Sequence, residues 1–166
     1  MSDAAIELYE YHSWANRAIL NHLGSLPENV WRQETAGIYP SISGVMSHMY
    51  AMDAMWLCML RQRPFDEARA LLLRLKEQTS QEGLEDVRQR FLHIESKYRQ
   101  WLLTEDLNDS LLLAHPVHGV VNASLSRIIQ HIVNHGAYYR GHLSAMLCQL
   151  GHADVPTDYL LYLYTG

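Results

Sequence analysis

Apolar side chains recur at close to a helical period along most of the chain. In residues 3–24 they fall at Ile6, Tyr9, Trp14, Ala18, Leu20 and Leu23, which predicts an amphipathic helix stopped by Gly24 and Pro27. Residues 28–40 read as a loop closed by Pro40. Ser41 or Ser43 can cap a second helix of about 20 residues that must end before Pro64. A short helix is predicted from Phe65 to Lys76, broken by the polar stretch Glu77–Gly83. A third long helix is predicted over Leu84–Thr104, with Val87, Phe91, Ile94, Tyr98, Trp101 and Leu102 on one side. Residues 105–121 form a long connection, and the β-rich patch at Val117–Val121 suits a short hairpin. Asn122 or Ser124 then caps a fourth long helix, with Gly151 at its C-terminal stop. The tail Asp158–Tyr164 is too apolar to stay in water and should pack on the body or on a second subunit.

Four long amphipathic helices predict an all-α four-helix bundle, with a short extra helix between the second and third long ones. The connections between helices exceed the short turns of an up-down-up-down bundle, so crossover connections are expected. At 166 residues the chain is expected to be a single domain, 1–166.

Charge narrows the function. The chain carries 13 basic and 18 acidic residues, a formal charge of −5, and no Lys/Arg cluster, so no nucleic-acid partner is expected. No apolar run approaches the roughly 18–20 residues that span a bilayer, so no membrane partner is expected either. The acidic start lacks the layout of an export signal, which predicts a cytoplasmic protein. Cys58 and Cys148 lie in apolar stretches and read as reduced core residues. Gly-rich phosphate loops, CxxC, HExxH and GxSxG are all absent from the sequence.

Histidine is the unusual component, at ten residues. His131 and His135 are spaced i, i+4 on the fourth helix, so both rings leave one face about 6 Å apart along the axis, within the grip of one divalent ion. The same pair also suits two ordinary core histidines. His48 sits on the apolar face of the second helix beside Val45, Met52 and Met55, where a core role and a ligand role both fit. His142 is too far along the helix to share a small ion with His135. His12, His22, His93, His115, His118 and His152 read as surface, capping or loop residues, and Arg140 as a surface ion-pairing group, with support of the ligands from behind or anion pairing as the other roles it could take. The tryptophans and the methionines at 46, 49, 52, 55 and 59 read as core.

Five segments in order resemble the DinB-like (YfiT-related) metal-binding four-helix bundles. Tyr11-His12-Ser13-Trp14-Ala15-Asn16 resembles the family's Y-x-x-W-A-N opening. Pro40–His48 resembles the S-I-x-x-x-x-x-H approach to its first ligand, and Trp56-Leu57 follows where W-L commonly sits. His131–Gly141 resembles H-x-x-N-H-x-x-x-H-R-G, and Pro156–Leu160 resembles the family's tail. The resemblance implies a bundle with crossovers, often a homodimer, and a zinc or nickel ion held by three histidines. It implies a transferase that uses a low-molecular-weight thiol, such as bacillithiol or mycothiol, on a small electrophile as substrate. A metal-dependent hydrolase is the variant.

Carried over residue by residue, the ligands are His48 and His135, and the third falls on Tyr139, where the family has histidine. Three arrangements follow. Tyr139 coordinates, His131 takes its place, or the bundle binds no metal and serves in binding or scaffolding.

Overall fold

The computed structural model describes residues 2–165. Six α-helices and one hairpin follow in chain order: α1 (Ser2–Ser25), α2 (Ile42–Leu60), α3 (Phe65–Ser80), α4 (Leu84–Leu102), β1 (Ser110–His115), β2 (Gly119–Ser124), α5 (Leu125–Gln149) and α6 (Tyr159–Thr165). The long helices pack in the cyclic order α1, α5, α2, α4. Sequence neighbours α1 and α2 are therefore diagonal, as are α4 and α5. Those two connections cross the bundle, as their length predicts.

The core is where the periodicity puts it. Val87, Phe91, Ile94, Tyr98, Trp101 and Leu102 of α4 are all buried, in one core with Val45, Met46 and Met49 of α2 and Ile129, Ile132 and Leu143 of α5. Among the tryptophans, Trp31 and Trp101 are buried, whereas Trp14 and Trp56 are half-buried at the edge of the core.

Three local features depart from the sequence expectation. The extra helix α3 has 16 residues and is not short. It runs through the polar stretch to Ser80 because Thr79 is buried and donates to the Leu75 carbonyl at 2.7 Å. Its apolar side, with Ala68 and Leu75, packs on α2 outside the four-helix ring. The connection before α5 is a hairpin with Ser110 opposite Ser124 and His115 opposite Gly119, and its turn holds Pro116, Val117 and His118. Val117 is thus in the turn, and Leu111–Leu113 supplies the second strand. Gly119 has φ of +82°, a conformation that favours glycine. Cys148 is exposed, because it lies one residue, about 100° of helical turn, past Leu147 on α5's buried face. Cys58 is half-buried, and both thiols are free.

The tail packs back on α1. Tyr159 donates to Glu7 Oε1 at 2.7 Å, and the Tyr162 ring lies against Tyr11 and Trp14 at 5.8 and 5.7 Å between centroids. No helix among the described residues is long and apolar enough to cross a membrane.

Ser41, not Ser43, caps α2, and Ser124, not Asn122, caps α5. The Ser41 hydroxyl accepts from Gly44 N at 3.3 Å and so fixes the start of the helix that carries His48. Ser41→Ala should cost about 1 kcal/mol in urea denaturation. An unchanged midpoint would show that the cap carries no weight.

Candidate metal centre

His48 lies in the middle of α2, and His135 and Tyr139 lie one turn apart on α5, the neighbouring helix. The backbone therefore directs three rings into one space. The His48 and His135 centroids are 5.5 Å apart, and the Tyr139 ring is 4.6 Å from each. Two imidazoles bonded to one tetrahedral ion have centroids roughly 5 Å apart. His131 is placed differently. It is exposed, 6.2 Å from the His135 ring, with its own ring edge-on to Trp56 at 4.7 Å. Of the two third positions left open by the sequence, Tyr139 is the one that touches both imidazoles.

Tyr39, from the loop before α2, closes the cluster. Its ring is 5.5 Å from His48 and edge-on to Tyr139 at 5.8 Å, with Lys76 Nζ of α3 over the ring at 5.6 Å from its centroid. Burial, with the Tyr139 hydroxyl beside it, pushes Tyr39 above the ordinary phenol range. Sequence reasoning passed over Tyr39 because loop residues carry no periodicity.

Electrostatics favours neutral imidazoles. Burial, followed by the His135 and Lys76 charges, lowers His48 to about 4. Burial also lowers His135, and Asp53 partly opposes that shift. A neutral imidazole is the form that binds metal. His48 Nε2 is buried and has no hydrogen-bond partner, a costly state for a polar atom that a ligand would relieve. The donor set thus fits a divalent ion through two nitrogens, with a phenol in third place. Among the described residues no group of three or more His, Cys, Asp and Glu side chains could hold a metal.

Beside this cluster lies a buried polar layer that corrects two sequence readings. His12 is 1 % exposed and Arg140 is 2 % exposed, so neither is a surface residue. His12 Nε2 is 3.1 Å from Asp53 Oδ2 of α2. A carboxylate only accepts, so His12 Nε2 donates there, with Asn16 Nδ2 also 3.1 Å from that nitrogen, and Nδ1 is left to accept from Arg140 Nη1 at 3.4 Å. Arg140 also donates to Asn16 Oδ1 at 3.0 Å and to the Tyr11 hydroxyl at 3.3 Å, and Tyr11 donates to the Thr157 carbonyl at 2.8 Å. Tyr98 of α4 donates to the Asp53 carbonyl at 2.8 Å, so the layer joins all four bundle helices. His12, Asn16 and Asp53 also line a pocket of about 160 Å3 between α1 and α4 that opens to solvent.

The lowered His48 sets a pH dependence. An unfolded histidine titrates near 6.5, so between about 4 and 6.5 the unfolded chain binds more protons than the folded one. Metal-free protein therefore loses stability as pH falls through that window. His48→Gln removes the titrating group, and its denaturation midpoint should fall less than the wild type's between pH 7.5 and 4.5. Parallel pH curves would contradict the buried neutral state of His48.

The whole chain, residues 1–166, matches the model of the DinB family. It is 42% identical over 165 residues to Protein DinB of Bacillus subtilis (strain 168), an alignment covering 99% of this chain and 96% of that protein. With the helical bundle, the full-length match and that identity in agreement, the chain belongs to the DinB family.

Proposed function

We propose that the protein is a metal-dependent DinB-family enzyme that transfers a low-molecular-weight thiol to a small electrophile. The observation that carries this reading is the partnerless buried Nε2 of His48, which shares a space with His135 and Tyr139. In this reading His48 and His135 hold a zinc or nickel ion through neutral nitrogens, and Tyr139 is the third protein group. When bound, the metal supplies a centre on which a thiol is deprotonated at neutral pH.

The chain's own residues do the rest. Burial keeps both imidazoles unprotonated, so no proton must leave before an ion is bound. The rings of Tyr39 and Tyr139 wall the cluster and limit water around the sulfur. The sulfur forms a bond to the electrophilic carbon, the leaving group departs with the bonding electron pair, and the thiol proton passes to solvent.

One observation favours a second reading, a binding or scaffolding bundle without metal. Only two histidines and a phenol meet at the cluster, and a phenol is a weak donor until ionised. Metal content of tag-free protein separates the two. The enzyme reading predicts about one equivalent of zinc or nickel per chain, lost in His48→Ala and His135→Ala. Tyr139→Phe should lower occupancy, and His131→Ala should leave it unchanged. Absence of metal from pH 6 to 8, after incubation with zinc and with nickel, would support the second reading.

A further inference from the structure

The polar layer contains the residues that the metal reading leaves unused: Tyr11 and Asn16 of the opening motif, and Arg140. Its centre is His12. The ring of His12 is packed against the α5 backbone at Gly136, the residue after His135. A Cβ at Gly136 would overlap the His12 ring, lying 2.5 Å from Nδ1 and 3.0 Å from Arg140 Nη1. Glycine in mid-helix costs about 1 kcal/mol relative to alanine, so its place here answers a need for close approach. On its other side His12 donates to Asp53, five residues and about 7.5 Å along α2 from His48.

From this geometry we propose that His12 is the positioning residue of the His48–His135–Tyr139 cluster. It acts as a spacer between Asp53 on α2 and Gly136 and Arg140 on α5, setting how closely those two helices approach.

Three observations support the assignment. The spacer is rigid, because an imidazole ring with both nitrogens engaged has no free rotamer. The spacer is local, because Gly136 and Arg140 directly follow His135 and Tyr139 on α5. The charges on its two sides are complementary, since the Asp53 carboxylate and the Arg140 guanidinium face one imidazole between them. Arg140 has no direct carboxylate partner in the layer, so Asp53 acts on it across His12. Moving His12 would thus disturb the separation of the imidazoles on both helices without touching either.

The part of this proposal that concerns metal rests on the metal-binding reading, so the test has two arms. In the first, tag-free full-length protein is titrated with Co2+ and followed by its visible d–d bands and by affinity. Gly136→Ala should weaken binding about tenfold or more and shift the bands, as expected for loss of ligand orientation. His12→Ala should do the same. The double variant should be no worse than His12→Ala, because the added methyl fills space that the ring has vacated. Folding of each variant is checked by circular dichroism and melting, and His12→Gln, which keeps a donor toward Asp53, replaces His12→Ala if that variant does not fold. In the second arm, ring-proton NMR shifts of His48 and His135 are compared in metal-free wild type and Gly136→Ala, and both should move. Folded variants with wild-type Co2+ affinity and bands, or unmoved ring shifts in Gly136→Ala, would overturn the positioning role. A wild type that takes up no Co2+ while the ring shifts still move would overturn the metal reading and leave His12 as the spacer of the cluster.

Discussion

Everything at the centre of this bundle depends on burying a carboxylate, an imidazole and a guanidinium together. Asp53, His12 and Arg140 are each less than 5 % exposed and come from three different helices. Removing one would leave the others desolvated and unpaired, which typically costs about 3–5 kcal/mol. An apolar layer could slide by a turn at little cost, but this layer has one register in which its donors meet acceptors. That register sets His48 of α2 opposite His135 and Tyr139 of α5.

The two polar clusters divide the work. The layer around Asp53 is paired across helices: its hydrogen bonds reach all four bundle helices and the segment at Thr157, with Arg140 Nε left buried and without a partner. The cluster around His48 is open, with neutral rings and one partnerless nitrogen. In the metal reading His48 and His135 hold the ion, and His12 sets the registration of the helices that carry them.

Much of the fold is legible in the chain because each long helix shows an apolar stripe of period near 3.6, as at Val87, Phe91, Ile94 and Tyr98. His48 and His135 are legible because they sit in motifs on apolar faces. His12 and Arg140 are not. A single polar residue on an amphipathic helix looks like surface until its partners are known, and Asp53 is 41 residues from His12. One signal was present: Gly136 sits in the interior of a strongly periodic helix, where glycine demands a packing reason. The length of α3 was hidden because its continuation rests on one buried threonine, and the exposure of Cys148 turns on one residue of helical phase.

The central claim is that His48 and His135 share an ion. Anomalous diffraction at the zinc edge, from crystals of tag-free protein grown with zinc, tests it most directly. An ion shared by the two rings gives one strong peak within about 2.0–2.2 Å of a nitrogen on each of them. No peak at the cluster, or a peak bonded to one ring and not the other, would contradict it.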